Sequence, residues 1–220
     1  MVCFLSIVHK AEPAHKTEAA EEVPSEDPPE IPSGIESSPP VFPGPGNKPD
    51  IILSSYRDEI SRDRVVYLFG TLARSNEVAA IILTNANTFN IPPSLAFALC
   101  WEESRYNIMA VSRENRNGSI DRGLFQLNSL SFPQLNAEDF FNPSINAYYG
   151  LAHLRWCIDV GGSEIAGLAM YNAGTNRVRQ NGTPKNTLDY ISRVLAYQQR
   201  INEFFRSDYE YAMAISMSPR

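Results

Sequence analysis

Two adjacent carboxyls, Glu102 and Glu103, close an apolar run that reads SLAFALCWEESRY over residues 94–106. As a helix, this run is apolar nearly all round, so it should be a buried central element. The negative end of the helix dipole and the apolar surroundings both disfavour an ionised carboxyl at its C-terminal end. A carboxylic acid that keeps its proton near neutral pH can protonate a leaving group, so general acid–base chemistry is the expectation. Successive helical residues point about 100° apart, which turns one carboxyl away from whatever the other faces. Glu103, followed directly by Ser104, is the candidate catalytic group. Glu102 should be a solvent-facing or ion-paired neighbour.

Other chemistries find little support. The three histidines (His9, His15 and His153) form no cluster, and the cysteines Cys3, Cys100 and Cys157 have no zinc-site spacing. Neither a metal nor a cofactor is expected. Cys100 and Cys157 lie in apolar helical stretches and serve either as core thiols or as one disulfide. Residues 11–50 carry nine acidic residues against two lysines, whereas residues 51–220 come out neutral, with Lys185 their only lysine. A neutral globular part lacks the clustered basic surface of a nucleic-acid binder. An uncharged polymer such as a glycan suits it better.

The elements that must position Glu103 begin after residue 50. Residues 1–9 form a short apolar run without a leading positive charge, read as the tail of an export signal. Residues 11–50 hold ten of the sixteen prolines, and such a segment should be a disordered tether. Helical periodicity is expected over 53–68, 75–87 with Ser75 as N-cap, 94–106, 142–160, 163–172 capped by Ser163, and 188–205. Asn117-Gly118 signals a hairpin turn between short strand-like pieces. The division expected is 1–50 for signal remnant and tether, 51–206 for the globular domain and 207–220 for a C-terminal tail. The fold expected is mainly α with a small β hairpin.

Four motifs follow one another in order: Glu103-Ser104, Gly123-Leu124-Phe125-Gln126, Ala169-Met170-Tyr171-Asn172-Ala173-Gly174, and Tyr190 within Thr187-Leu188-Asp189-Tyr190-Ile191. With Ala110-Val111-Ser112 between the first two, the chain from about Ser75 to about Phe205 resembles the soluble lytic transglycosylases. That resemblance implies a lysozyme-like domain of the goose-type lysozyme and transglycosylase kind. It implies a lyase acting on peptidoglycan glycan strands in the periplasm or cell envelope. Glu103 would act first as acid, then as base on the C6 hydroxyl of muramic acid, closing a 1,6-anhydro ring. Ser112 would orient the N-acetyl group, and Ser104, Gln126, Tyr171, Asn172 and Tyr190 would contact the substrate. The tether would give reach to a partner in the envelope machinery, and the enzyme would be a monomer.

Each residue has a plainer alternative. Ser104 can bond a backbone carbonyl within the last helical turn, Ser112 can be a turn residue, and Asn172 a helix C-cap. Tyr171 and Tyr190 can be core aromatics with satisfied hydroxyls. The link from Ser112 to Gly123 is longer than is usual in the family, and Phe125 stands where Met is more common. The stretch 117–129 also resembles the hairpin of c-type lysozymes, in which an Asp stands at the place of Asp121. It is similar, too, to the small specialised transglycosylases of secretion systems. Asp121 is therefore either a second carboxylate facing Glu103, which would favour a hydrolase, or a hairpin residue paired with Arg122 or Arg116. A non-catalytic peptidoglycan-binding envelope protein on the same fold is the third functional alternative, one whose signature would be a missing catalytic Glu or a broken Tyr-Asn motif.

Overall fold

The computed structural model describes residues 50–115 and 117–216, the side chains of Asn181 and of residues 211–216 excepted. The signal remnant, the tether, Cys3 and Arg116 lie outside the described residues. Asp50, at the edge of the expected tether, is the N-cap of the first helix, its Oδ1 accepting from the Leu53 amide at 2.7 Å.

The region 53–68, expected as one helix, is two: α1 (Ile51–Arg57) and α2 (Arg62–Ala73). Asp58 breaks them apart. Its extended backbone ends α1, and its carboxylate accepts from both the amide and the hydroxyl of Ser61 (3.0 and 2.7 Å), which builds a local turn. Ser75 caps α3 (Asn76–Thr88) through the Val78 amide, as its position implied. Pro93 occupies the first turn of α4 (Pro93–Ser104), where its missing N–H costs nothing. Every residue from Pro93 to Cys100 is buried, so α4 is the central helix about which α3 and a long C-terminal helix pack.

After α4 the chain forms a two-stranded antiparallel ladder, β1 (Asp121–Arg122) with β2 (Leu127–Asn128), in which Asp121 faces Asn128. The turn joining these strands is Gly123–Gln126 rather than Asn117-Gly118. Asn117 and Gly118 instead turn a preceding loop that brings Val111 opposite Arg122 as a single further bridge. Gly123 has φ +76°, and a Cβ there would stand 2.1 Å from the Phe140 carbonyl oxygen, so this turn requires glycine. Phe125 lies across Gly150, where a Cβ would meet its Cβ and Cγ at 2.4 and 2.6 Å.

Asn142 caps α5 (Pro143–Gly161) by accepting from the Ser144 and Ile145 amides, and Ser163 caps α6 (Glu164–Ala173). A short α7 (Thr175–Asn181), absent from the periodicity reading, follows at Gly174. The last helix, α8 (Lys185–Ser216), runs through the expected boundary at residue 206. Asp208 pairs with Arg64 of α2 at 2.7 Å and Tyr209 stacks on Phe205, so the helix continues because side chains beyond 206 still find partners. Cys100 and Cys157 are buried free thiols, which decides against a bridge between them.

One buried side chain ties the hairpin to the helices. Asn146 of α5 is fully buried, and its Oδ1 accepts from the Phe125 amide at 2.8 Å. Its Nδ2 donates to the carbonyls of Arg122 (3.0 Å) and Phe140 (2.9 Å). Replacing it with an apolar isostere leaves three backbone groups without this partner. Asn146→Leu is expected to cost about 3 kcal/mol or more in urea unfolding, and a loss below about 0.5 kcal/mol counts against this role.

Candidate active site

Glu103 lies in the last turn of α4, which ends where Arg105 takes a left-handed conformation (φ 56°) and returns its amide to the Trp101 carbonyl. The side chain is partly buried. The Tyr190 hydroxyl, from α8, donates to Glu103 Oε1 at 2.5 Å. Tyr190 itself is 4% exposed. Burial, and then the Glu103 charge beside it, push the Tyr190 phenol well above its ordinary range. It therefore stays a donor throughout the neutral range.

Tyr171 of α6 stands close to the same carboxyl. Its hydroxyl donates to the Phe125 carbonyl at 2.7 Å, which anchors the helix bearing the Tyr-Asn pair to the hairpin turn. Burial is the main cause of its raised phenol pKa, and Glu103, Cys157, Cys100 and Asp121 add to it. Both carboxyls are thus within electrostatic reach of one tyrosine. For Tyr190 the aromatic alternative and the site alternative are not exclusive, since its ring packs in the core while its hydroxyl meets Glu103. The Tyr171 hydroxyl is satisfied by the Phe125 carbonyl, as the plainer alternative has it.

Asp121 is 2% exposed. Its Oδ1 accepts from Asn128 Nδ2 across the ladder at 2.8 Å, and its Oδ2 accepts from Asn115 Nδ2 at 3.5 Å. Ser112 is paired to the same residue through the backbone: its amide donates to the Asp121 carbonyl and its Oγ accepts from the Asp121 amide, both at 2.9 Å. The Ser112 hydroxyl in turn donates to the Arg113 carbonyl at 2.9 Å. Ser112 and Asp121 together form the loop-to-strand junction beside the hairpin.

Gln126 sits in the turn at φ 46°, and its Nε2 donates to the carbonyls of Gly123 (2.9 Å) and Ala110 (3.2 Å). Asn172 lies inside α6 rather than at its C-cap, which is Gly174, and its Oδ1 accepts from the Thr187 hydroxyl at 2.9 Å. Ser104 takes the backbone alternative. It is buried and its Oγ donates to the Cys100 carbonyl at 3.2 Å, one turn back, so the expected substrate contact is not available to it as placed. Glu102 is ion-paired, to Arg193 at 2.7 Å and Arg105 at 3.7 Å, with a side chain only 4% exposed.

Three participants escaped the sequence reading. Asn146 carried a signal, a polar residue at a core phase of α5 one turn after its cap. Thr187 opened the fourth motif but was not singled out, and Arg193 carried no signal beyond its helical spacing from Tyr190. Among the described residues no group of three or more His, Cys, Asp or Glu gathers that could hold a metal ion.

Tyr106 and Tyr197, packed around Trp101, also have phenols held above their ordinary range, mainly by burial. The folded protein keeps the protons of these tyrosines, and of Tyr171 and Tyr190, more tightly than the unfolded chain does. Their contribution to stability is complete below about pH 10 and is lost as pH rises from there toward the folded values. The melting temperature is expected to fall above about pH 10, and less steeply in Tyr190→Phe. A flat profile to about pH 11 contradicts this.

Comparison with known proteins agrees with the geometry. The Transglycosylase SLT domain family matches residues 80–193, just over half of the chain. This interval includes Glu103, the hairpin, Tyr171, Asn172 and Tyr190. Two curated relatives, each named Protein IpgF, from Shigella sonnei and Shigella flexneri, are each 30% identical over 113 residues, covering 49% of this chain and 74% of the relative. No solved structure matches the chain significantly. With its helical domain and small hairpin holding the four motifs in order, this chain belongs to the Transglycosylase SLT domain family and has its lysozyme-like fold.

Proposed function

We propose that this chain is a peptidoglycan lytic transglycosylase that cleaves the β-1,4 bond between N-acetylmuramic acid and N-acetylglucosamine and leaves 1,6-anhydro ends. The observation that carries this reading is the hydrogen bond from Tyr190 to Glu103 Oε1 at the end of the central helix. With Oε1 engaged by Tyr190, Glu103 would deliver its proton from Oε2. Glu103 gives that proton to the glycosidic oxygen as the C1–O4 bond breaks. The N-acetyl carbonyl oxygen bonds to C1 and holds the sugar as an oxazolinium. Glu103, now a carboxylate, takes the proton from the C6 hydroxyl while O6 attacks C1 and the oxazolinium opens. The carboxyl ends protonated, as it began, and water takes no part.

The remaining expected contacts are part of the proposal. Gln126, Tyr171 and Asn172 would meet sugar hydroxyls and acetamido groups. Ser112 would orient the N-acetyl group. The substrate places the enzyme in the periplasm or cell envelope, where residues 1–50 would serve as signal remnant and tether toward an envelope partner, and the domain would act as a monomer.

A hydrolase using Glu103 and Asp121 is the second reading, favoured by the effect of both carboxyls on Tyr171. Burial of Asp121 and the Asn128 amide on its Oδ1 weigh against it, because a nucleophile or base must present an oxygen to sugar or water.

Digestion of isolated peptidoglycan followed by mass spectrometry separates the two. Anhydro-muropeptide ends are expected, and reducing ends would support the hydrolase instead. Glu103→Gln is expected to lower the rate at least about a hundredfold, and Tyr190→Phe about ten- to a hundredfold. A Glu103→Gln protein that digests peptidoglycan at the parent rate removes the enzymatic reading.

A further inference from the structure

Three consecutive residues at the end of α4 meet three residues along one face of α8. Tyr190 donates to Glu103. Arg193 Nε donates to Glu102 Oε1 at 2.7 Å. The ring of Tyr197 stacks on Trp101 at 5.3 Å, with 26° between planes. Positions 190, 193 and 197 are three and four residues apart, the spacing that lines one side of a helix. The middle tie differs from the other two in its chemistry. It joins a carboxylate whose side chain is 4% exposed to a guanidinium that is 45% exposed, one residue from the proposed acid.

From this arrangement we infer that Arg193 and Glu102 are positioning residues: their ion pair sets the register of α8 against α4, so that the Tyr190 hydroxyl reaches Glu103 Oε1. The inference rests on the transglycosylase reading for its effect on rate, but not for its effect on geometry.

The physical case is one of direction. Stacked rings tolerate sliding by an ångström or more. The apolar contacts around Val194 and Ile191, both buried, hold the helices together but are non-directional. A charged hydrogen bond to a nearly buried carboxylate is short and angle-dependent. It therefore selects one rotation and one translation of α8 among those the apolar contacts permit. Arg105 reinforces this by holding the second oxygen of Glu102 at 3.7 Å while its guanidinium lies over the Trp101 ring at 4.6 Å. Glu102 is thereby held from the end of its own helix as well as from α8. A side chain placed at about one Å from its productive position loses much of its catalytic effect, so loss of this tie should reach the rate through Tyr190.

Arg193→Gln and the double variant Glu102→Gln/Arg193→Gln test the proposal. The single variant leaves a nearly buried carboxylate facing a neutral amide. The double variant replaces the ion pair by an amide pair of similar span and guards against a loss caused by unfolding alone. On soluble glycan strands, Arg193→Gln is expected to lower kcat about tenfold with KM within about twofold of the parent. The double variant should recover most of that loss. Circular dichroism should show both variants folded at the assay temperature. An unchanged kcat in Arg193→Gln overturns the proposal, as does a loss that the double variant does not recover while remaining folded. Crystal structures of the parent and Arg193→Gln give a readout independent of activity. The Tyr190–Glu103 contact is expected in the parent and lengthened past hydrogen-bond reach in the variant, and its persistence at the parent distance overturns the proposal. If the parent cleaves no glycan, the functional reading fails and the crystallographic comparison alone decides this one.

Discussion

The site depends on the satisfaction of a few backbone groups in the interior. The end of β1 and the turn that follows send the Arg122 carbonyl and the Phe125 amide toward α5, and one fully buried side chain answers both. Because the Asn146 amide also holds the Phe140 carbonyl, it joins the hairpin, the turn before α5 and α5 itself at one point. The Phe125 carbonyl then receives the Tyr171 hydroxyl, so α6 takes its place from the hairpin in turn. The two-residue strands have too few ladder bonds to hold such a turn by themselves. Asn146 and the close seat of Phe125 on Gly150 do so instead.

The central helix imposes a different constraint. With every residue from Pro93 to Cys100 buried, α4 offers no polar face by which its rotation could be specified. Apolar packing alone would admit neighbouring arrangements at little cost. Direction enters toward its C-terminal end, where Cys100 reaches the Leu124 carbonyl and Glu102 and Glu103 each meet a separate side chain of α8. The carboxyl proposed to do the chemistry therefore belongs to the same short stretch that orients the helix.

These physical differences explain how much was legible in advance. Caps such as Ser75, Asn142 and Ser163 act on amides two or three residues away, and local chemistry of that kind can be read from a string of letters. The apolar run of α4 and the paired motifs around Glu103, Tyr171 and Tyr190 were equally plain. The split at Asp58 was missed because apolar periodicity continues on both sides of a turn made by one carboxylate. Extension of α8 past residue 206 depends on Arg64, more than a hundred residues earlier, and no local pattern announces such a partner. The choice between backbone and substrate for Ser104 turned on a side-chain rotamer. The state of Asp121 turned on Asn128, its neighbour across a ladder whose register the Asn117-Gly118 signal misassigned.

The two thiols carry a consequence of their own. Cys100 and Cys157 are buried and unbridged, and burial pushes Cys157 up to about 12 and Cys100 higher still. Neither forms appreciable thiolate at neutral pH, which is the species that oxidants and disulfides attack. The folded domain consequently holds both thiols in their least reactive form and takes no support from a bridge between them.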